Sequence, residues 1–347
     1  MSEQIRFGLI GCGRVSPRHL QSIAELADAR LVAVSDVIAS RVERVAKENN
    51  AVAYGDYRQM LERRDIDVVN ICTPSGMHAQ MSIDALQAGK HVICEKPMAM
   101  NLADADRMIA AAKATGKKLC IVLQNRYNPP MLDLRRLVDE GRLGKILLGN
   151  ATVRWYRPQE YYEDGWHGTL AMDGGALMNQ SVHHIDALQW FIGDVDSVFA
   201  HTATLAHKMQ AEDAGVAVIR FKNGALGTVE GSTLTYPENL EGSVALFGEH
   251  GSVKIGGTAL NRKSIWKIEG ALEHERELLM HDQVDPPSVY GFSHQAVIAD
   301  MIAALRENRE PRTNGREARK SVALVLAMYE SARTGVAVKM TDGIWNG

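Results

Sequence analysis

The sequence contains little cysteine, no excess of charge of either sign and no long apolar run. Its four cysteines lie in or beside apolar, strand-like segments without CxxC spacing, which argues against a disulfide framework or a zinc site and favours reduced, mostly buried thiols. A formal net charge of −3 without a long basic run gives no reason to expect nucleic-acid binding. Because no apolar run reaches the roughly 18 residues of a membrane span, we expect no membrane segment.

A secretory signal is also missing from the start of the chain. The segment MSEQIRFGLIG enters an apolar, strand-like run directly, without a basic start, a long apolar stretch or a small-residue cleavage site. We therefore expect a cytoplasmic protein. The 347 residues are enough for about two domains with a well-buried core.

The first third of the chain alternates short β-branched runs with helical patterns. Five runs are expected to be strands buried on both faces, namely IRFGLIG, LVAVSDV, DVVNICTP, HVICEKP and KLCIVLQN. One intervening helix is expected to have Asn101 as its N-cap and to stop at Gly116. This alternation predicts βαβ units and a parallel, doubly wound sheet.

The pattern changes after about Asn125. Later segments such as GVAVIRF and GALGTVEGSTLTY have antiparallel character, and KNG and GEHG are hairpin-turn signals. Two helices are expected near the end, at about 293–308 and 317–333. The sequence therefore predicts an α/β protein with an N-terminal domain, 1–124, and a C-terminal α/β domain, 125–347, built on a mixed, largely antiparallel open sheet.

The segment GLIGCGRVSPRH has the pattern of a dinucleotide-binding turn. Gly11 and Gly13 lie between a predicted strand and a predicted helix, where glycines let the backbone turn tightly and approach a pyrophosphate. Ser16 replaces the third glycine, but with Pro17 it forms a good helix start as an N-cap. Asp36 ends the second strand, where its carboxylate suits a ribose and repels a 2′-phosphate, so we predict NAD rather than NADP.

The ends of two further strands carry polar residues at the edge where such sheets bind ligands. NICTPSGMHAQ places Thr73, Pro74 and His78 there, and VICEKPMAM places Glu95 and Lys96 at the next strand end. Lys96 follows a fully apolar strand, which favours a side chain directed into the ligand crevice over an ordinary surface lysine.

The stretch DGGALMNQSVHHIDALQW is predicted to be a helix with paired histidines. Residues three and four apart share a helix face, so Asn179, His183 and Asp186 are expected to form one polar stripe beside an apolar one. His184 points about 100° away and is interpreted as structural, with ring nitrogens satisfied by neighbours or solvent. No third ligand appears at zincin-type spacing, so we expect an acid/base site without a metal.

Together these motifs resemble the Gfo/Idh/MocA oxidoreductase family. GCGR, TPxxxH, EKP and the later GG(x)7HxxD carry the resemblance, which covers essentially the whole chain. It implies a Rossmann domain that binds NAD, followed by a substrate-binding α/β domain whose open sheet makes oligomer contacts. A homotetramer or homodimer is the expectation that follows.

Within that family, QNRYNPP, RWYRPQEYYEDGWHGT and TLTYPENLEGSVALFGEHG are similar to UDP-N-acetyl-glucuronate 3-dehydrogenases. That resemblance implies NAD-dependent oxidation of the C3 hydroxyl of this UDP-sugar acid, in bacterial surface-polysaccharide biosynthesis. A polyol or free-sugar dehydrogenase of the inositol type is the first alternative. The second alternative, a non-catalytic dinucleotide-binding sensor, is disfavoured by the presence of Lys96 and His183.

The resemblance also implies roles for individual residues. His183 occupies the position of the family's catalytic histidine and is the expected general base, while Lys96 would stabilise alkoxide character on the reacting oxygen, although the two could exchange or share these roles. The family usually has aspartate where this chain has Asn179, so a carboxylate–histidine relay is not expected there. Asp186 is expected to orient His183 or to cap local structure.

The remaining candidates are predicted by chemistry and position. Guanidinium and amide donors suit the diphosphate and carboxylate of a UDP-sugar acid, although single arginines are often only solvated. Aromatic residues of the segment 161–167 either contact ligand or form a packed lid. Predicted cofactor contacts are Gly11, Gly13, Arg14, Val15, Asp36, Thr73, Pro74, His78, Glu95, Lys96, Gln124 and Trp166; predicted substrate contacts are Lys96, Asn125, Arg126, Arg154, Arg157, Tyr162, Asn179 and His183. Tyr290 and His294 are weaker candidates for the same site.

Overall fold

The computed structural model describes residues 4–270, 291 and 293–345. The chain divides into two compact units, Met1–Leu123 with Ser293–Arg319, and Gln124–Phe292 with Lys320–Gly347. The predicted boundary near 122–126 agrees with this division, but the assignment of all of 125–347 to one domain does not. Ser293–Arg319 belongs to the first unit, where ion pairs such as Arg306–Asp28 join it to the N-terminal part of the chain.

The first unit contains the predicted parallel sheet. Its strands are β1 Ile5–Ile10, β2 Ala29–Ser35, β3 Val52–Tyr54, β4 Val68–Ile71, β5 His91–Cys94 and β6 Leu119–Ile121. They lie in the order β3-β2-β1-β4-β5-β6, and all pairs are parallel. This is the order of a dinucleotide-binding Rossmann sheet, with its switch point between β1 and β4. The edge strand β3 was not predicted, because three residues are too few to show a period.

Helices connect the strands and continue into the rest of the chain. They are α1 Ser16–Glu25, α2 Ala39–Glu48, α3 Tyr57–Leu61, α4 His78–Gln87, α5 Leu102–Thr115, α6 Pro129–Asp139, α7 Val182–Ile192, α8 His294–Arg306, α9 Gly315–Thr334 and α10 Asp342–Trp345. The predicted cap of α5 is confirmed, because Asn101 accepts a hydrogen bond from the amide of Asp104 and Gly116 is left-handed with φ 64°. The two predicted late helices correspond to α8 and α9.

The four cysteines are buried free thiols, as predicted. Burial raises the pKa of Cys12 and of Cys120 to about 12, so both remain protonated at neutral pH. Within the described residues, no helix has the length and apolar character needed to cross a membrane.

The second unit is built on a mixed sheet. Its strands are β7 Ile146–Arg154, β8 Val195–Ala203, β9 Ala214–Phe221, β10 Leu226–Ser232, β11 Glu241–Gly248, β12 Gly251–Gly256, β13 Arg262–Ile268 and β14 Val338–Lys339. They lie in the order β13-β12-β11-β7-β10-β9-β8-β14, and among these pairs only β7–β10 is parallel. The predicted mixed, largely antiparallel open sheet is confirmed.

The two faces of this sheet differ. Helix α7 packs on one face, where a Cβ at Gly149 would come within 2.5–2.9 Å of the side chains of Ile192 and Leu188. Because side chains alternate along a strand, Leu148 and its cross-strand neighbour Leu226 lie on the opposite face. Both are at least 40% exposed, so that face presents exposed apolar side chains in the single chain.

Candidate active site

The glycine-rich turn after β1 has the geometry that a dinucleotide requires. Gly11 has φ +94°, and a Cβ on it would lie 2.7 Å from the carbonyl carbon and oxygen of Cys72. Only glycine fits there. A Cβ on Gly13 would meet no described atom within 4 Å, so that glycine faces open space where a ligand can approach the backbone.

The start of α1 differs from the prediction in one detail. The helix begins at Ser16 itself, Val15 takes the cap position, and the Ser16 hydroxyl donates to the carbonyl oxygen of Gly13 at 2.8 Å. Ser16 therefore ties the turn together and is not an N-cap. Arg14 is exposed and Val15 half-buried, and their predicted contacts with the cofactor stay predictions.

Asp36 lies at the end of β2 with its carboxylate fixed by the backbone. Oδ2 accepts a hydrogen bond from the amide of Cys12 at 2.7 Å, and Oδ1 accepts one from the amide of Ile38 at 2.8 Å. This joins the glycine-rich turn to the end of β2. A carboxylate held there can accept ribose hydroxyls and disfavours a 2′-phosphate, as the NAD prediction requires.

At the end of β4, Thr73 and His78 behave differently. The buried hydroxyl oxygen of Thr73 has no hydrogen-bond partner among the described residues, so it can bind a ligand. His78 is 1% exposed, with Nδ1 2.7 Å from the carbonyl oxygen of Pro97 and Nε2 2.9 Å from that of Thr73. The predicted cofactor contact of the His78 side chain is therefore wrong, because that side chain joins two loops inside the unit. Pro74 is half-buried beside them.

Glu95 is held inside the first unit by residues that the sequence did not single out as a group. Its Oε1 lies 2.9 Å from His19 Nε2 and 3.4 Å from His294 Nε2, while Oε2 accepts from the amide of Lys96 at 3.2 Å. Burial opposes its charge, but the hydrogen bonds from both histidines hold the pKa of Glu95 well below its usual range. Glu95 thus anchors the backbone of Lys96, whose side chain is half-buried.

These three side chains also bear on metal binding. Within the described part of the chain, His19, Glu95 and His294 are the group whose ligand atoms lie close enough to share one metal ion. The two histidines already satisfy the Glu95 carboxylate by hydrogen bonds, so the geometry does not require a metal. His294 belongs to the first unit, and Tyr290 lies outside the described residues.

The histidine-bearing stretch is not one continuous α-helix. Ala176–Gln180 forms a π-helix, Ser181 interrupts, and α7 follows. Asn179, His183 and Asp186 are all buried, with exposed fractions of 9%, 8% and 1%. The prediction of one continuous helix is wrong, because an i→i+5 turn precedes α7. The common polar stripe of Asn179, His183 and Asp186 stays a prediction. The adjoining apolar residues are buried as expected: Met178, Val182, Ile185 and Ile192.

Arg126 and Asp186 form a buried ion pair. Arg126 Nε donates to Asp186 Oδ2 and Nη2 to Oδ1, both at 2.8 Å, and the guanidinium lies 5.0 Å from the ring centre of Trp190. Arg126 is 5% exposed. The prediction that Arg126 binds substrate is therefore corrected, because its charge is neutralised inside the protein. Asp186 is the carboxylate that neutralises it.

Two further substrate predictions are also corrected. Arg154 binds Glu230 at 2.6 Å and Glu241 at 3.0 Å, on the sheet face away from α7. Tyr162 is 9% exposed, and its hydroxyl donates to Thr233 Oγ1 at 2.9 Å. Burial raises the pKa of Tyr162 to about 12, as expected of a core phenol.

Arg157 remains a candidate for substrate binding. Its Nη2 donates to Gln180 Oε1 at 2.8 Å, and Gln180 Nε2 donates to the hydroxyl of Tyr161 at 3.1 Å. This network connects the arginine-bearing segment with the π-helix. Gln180 was missed as a functional candidate, because a glutamine at one helical position carries no distinctive pattern.

A second candidate has a buried acceptor. Asn125 is 4% exposed in the 3₁₀ turn Gln124–Tyr127, and its Oδ1 has no hydrogen-bond partner among the described residues. A substrate or cofactor donor would satisfy it. Gln124 is buried beside it.

The aromatic segment packs against itself. The rings of Trp166 and His167 lie 3.7 Å apart, Tyr161 lies 4.2 Å from His167, and Asp164 Oδ2 binds His167 Nδ1 at 2.6 Å. This supports the packed-lid alternative for His167. Trp166 is half-buried, and its predicted cofactor contact stays a prediction.

His184 is a core residue. It is 1% exposed, its ring meets that of Trp155 edge to face at 5.7 Å, and burial lowers its pKa to about 3. The structural interpretation is confirmed, but the expected partners of its ring nitrogens are not found among the described residues.

Comparison with known proteins identifies the family. The model of the GFO/IDH/MocA oxidoreductase family with an NAD-binding Rossmann fold matches residues 5–123, and the model of its C-terminal domain matches residues 131–254. A myo-inositol 2-dehydrogenase of Thermotoga maritima is 32% identical over 259 residues, which cover 72% of this chain and 74% of that protein. The chain belongs to the GFO/IDH/MocA family. It is an NAD-dependent oxidoreductase of the sugar-dehydrogenase type.

Two solved members of the family resemble the chain over its whole length. The WlbA dehydrogenase of Bordetella pertussis, solved in complex with NADH and UDP-GlcNAcA, is 39% identical, with 98% of this chain and 99% of that chain covered and a TM-score of 0.90. The WlbA dehydrogenase of Chromobacterium violaceum, in complex with the same two ligands, is 40% identical, with 98% and 97% covered and a TM-score of 0.91.

Proposed function

We propose that this GFO/IDH/MocA protein oxidises the C3 hydroxyl of UDP-N-acetyl-glucuronate to the 3-keto sugar. The observation that carries the proposal is the resemblance, at 39–40% identity over 97–99% of their length, to two dehydrogenases solved with NADH and this nucleotide sugar. A role in making sugars for bacterial surface polysaccharide would follow from such a product.

The residues of the first unit fit NAD. Gly13 leaves space for a close approach to the backbone, Asp36 holds a carboxylate where a ribose is expected, and Thr73 offers a buried hydroxyl without a partner among the described residues. Oxidation of the alcohol removes a hydride from carbon, which bound NAD+ accepts, and a proton from oxygen.

We assign the proton to His183. Its imidazole takes the hydroxyl proton as the C–O bond becomes a carbonyl. Lys96, when charged, stabilises the oxygen by donating a hydrogen bond, while Glu95 fixes its backbone. Asn179 is held by a hydrogen bond from its Nδ2 to Asp173 Oδ1, and we assign it to a substrate hydroxyl. Arg157 and Asn125 are the proposed contacts for the remaining anionic and polar groups.

The test is NADH formation with UDP-N-acetyl-glucuronate, measured by absorbance. Substrate deuterated at C3 should react several-fold more slowly and give deuterated NADH, whereas deuterium at C4 should have neither effect. UDP-N-acetylglucosamine is the matched control, because it lacks only the carboxylate. Since tightly held cofactor can mask turnover, a keto acid should be supplied as reoxidant before a negative result is accepted.

A polyol or free-sugar dehydrogenase is the second candidate. It is favoured by relatives such as the myo-inositol 2-dehydrogenase of Thermotoga maritima and a scyllo-inositol 2-dehydrogenase of Bacillus subtilis, which is 28% identical. Turnover of myo-inositol without any response to UDP-sugars would select it. If Lys96→Met and His183→Ala left every activity unchanged, a non-catalytic dinucleotide sensor would replace both.

We propose that the open sheet face is covered by a second copy in a homodimer or homotetramer. Val216 and Val218 on β9 are 51% and 56% exposed, beside Leu148 and Leu226 on the same face. Such an apolar face is a typical subunit contact. Val216→Lys with Val218→Lys should dissociate the assembly in light-scattering measurements. A wild-type monomer would refute the assembly without bearing on the reaction.

A further inference from the structure

Two backbone amides of the π-helix that carries Asn179 donate hydrogen bonds to a residue outside that helix. Its wide turn is shown by the hydrogen bond from the Ser181 amide to the carbonyl oxygen of Ala176, at 2.8 Å. π-helical turns are rare, and they occur frequently at functional sites. The first amides of any helix also lack partners within it. The direction of Asn179 and of the following His183 therefore depends on what binds this turn.

Glu212 binds both of these first amides. Its backbone carbonyl accepts from the amide of Ala176 at 2.9 Å, and its side-chain Oε1 accepts from the amide of Leu177 at 2.8 Å. The hydroxyl of Tyr329, on α9, donates to the same Oε1 at 2.9 Å. One residue thus receives three hydrogen bonds, two from the π-helix and one from another helix.

Glycines make this close contact possible. A Cβ at Gly175 would overlap the carboxyl group and the carbonyl oxygen of Glu212. A Cβ at Gly215 would come within 2.7 Å of Leu177, and one at Gly231 would overlap the hydroxyl of Ser181. The π-helix therefore packs directly against Glu212 and against two strands of the sheet. This close contact explains why the DGG segment has glycine at position 175.

The charge state of Glu212 is unusual for a carboxyl group. It is 7% exposed, and burial raises its pKa to about 7, with nearby Asp173 adding to the rise and the hydrogen bonds from Leu177 and Tyr329 opposing it. Asp173 and Tyr329 are the titratable groups that face it. Asp173 binds Asn179 and the amide of Gly168, so a second carboxyl group also binds a residue of the π-helix.

We propose that Glu212 is a positioning residue, which fixes the first turn of the π-helix and thereby the direction in which Asn179 and His183 meet the substrate. Glu212 touches neither substrate nor cofactor in this role. The inference rests on the proposed function, in which His183 takes the proton. Because misplacing a reacting group by about 1 Å can cost about a hundredfold in rate, loss of this support should appear in kcat.

The test compares variants of the full-length chain. Glu212→Ala should lower kcat about 10- to 100-fold and leave the Kd for NAD unchanged, since the glycine-rich turn and Asp36 belong to the other unit. Glu212→Gln keeps an Oε1 acceptor and should restore most of the rate. Glu140→Gln, an exposed residue at the end of α6 in the same unit, is the matched control and should behave like the wild type.

Hydrogen exchange supplies the second measurement. In Glu212→Ala the amides of Ala176 and Leu177 should exchange at least tenfold faster, while those of α7 beyond Asp186 keep their protection. If Glu212→Ala does not fold, Tyr329→Phe, which removes one hydrogen bond to Oε1, should lower kcat about threefold or more with the same local change in exchange. A kcat at the wild-type value, or unchanged exchange at 176–177, would overturn the proposal.

The positioning role and the proposed function would be refuted by different results. If the wild type forms no NADH with UDP-N-acetyl-glucuronate, the proposed function fails, whatever Glu212→Ala does to the exchange of the π-helix. If His183→Ala is inactive while Glu212→Ala is fully active, the function stands and the positioning role fails. Unchanged rate with increased exchange would make Glu212 a structural residue only and would likewise refute the proposal.

Discussion

Arg126 and Asp186 form a bidentate ion pair within the second unit, with both N–O distances at 2.8 Å. The pair ties the 3₁₀ turn Gln124–Tyr127 to α7, one helical turn beyond His183. Both residues resemble site residues in the sequence, because arginine suits phosphate and Asp186 follows His183, the proposed base. Their side chains are 6% and 2% exposed, and they support the helix instead of binding ligand.

Removal of one partner should be strongly destabilising. Asp186→Ala leaves the Arg126 guanidinium buried without its carboxylate, and we expect the free energy of unfolding to fall by about 3–5 kcal/mol. Urea denaturation followed by circular dichroism measures this. The double variant Arg126→Met with Asp186→Leu should recover most of the loss, because neither charge is then buried alone.

The same double variant checks the corrected role of Arg126. If it folds and keeps the wild-type KM for the UDP-sugar acid, Arg126 does not bind substrate. A tenfold or larger rise in KM with unchanged stability would contradict the assignment of Arg126 to the protein interior.

The two glycines of the dinucleotide turn should respond differently to alanine. Gly11→Ala places a Cβ at φ +94°, 2.7 Å from the Cys72 carbonyl group. A non-glycine residue with left-handed backbone costs about 1–2 kcal/mol. Because the overlap with Cys72 adds to this cost, the free energy of unfolding should fall by more than that amount. Gly13→Ala meets no described atom and should leave the melting temperature unchanged.

Cofactor titration distinguishes the two substitutions further. If the cofactor approaches the backbone at Gly13, Gly13→Ala should raise the Kd for NAD tenfold or more in a folded protein. A wild-type Kd in Gly13→Ala would show that the open space at this glycine is not part of the cofactor site.

Asp36 should determine the choice between NAD and NADP. A hydrogen bond to a charged group contributes about 1.5–3 kcal/mol, so Asp36→Ala should weaken NAD binding roughly 10- to 100-fold. Loss of the negative charge should also improve NADP binding relative to NAD. Fluorescence titration with both dinucleotides measures the ratio, and Asp36→Asn, which keeps the shape without the charge, is the matched control. An unchanged ratio in both variants would place the ribose elsewhere.

The parts of the fold and site that the sequence predicts are those specified locally. The alternation of strands and helices predicts the parallel sheet, and Gly11 and Asp36 are predictable because a tight turn and a ribose each demand one kind of residue. Asn101 and Gly116 define the ends of α5 by the chemistry of helix caps.

Pairings between distant segments could not be predicted from one sequence. Arg126 and Asp186 are 60 residues apart and His19 and Glu95 are 76 apart, so no local pattern connects them. The π-turn before Ser181 was also missed, since helical periodicity does not reveal one extra residue. Its support, Glu212, looks in the sequence like an ordinary surface acid.

Glu212 should make stability depend on pH in a defined window. Its pKa is about 7 in the folded protein, chiefly because of burial, against an ordinary value of 4.5. Between these values the folded state binds the proton more tightly than the unfolded state does, so this group's contribution to stability is lost as pH rises from about 4.5 through 7.

The loss of stability is about 3 kcal/mol above pH 7. Glu212→Gln cannot ionise, so its stability relative to the wild type should rise by about 3 kcal/mol between pH 4 and pH 8 in urea denaturation. All other titrating groups cancel in this difference. A difference between Glu212→Gln and the wild type that stays constant with pH would mean that the pKa of Glu212 is not raised in the folded chain.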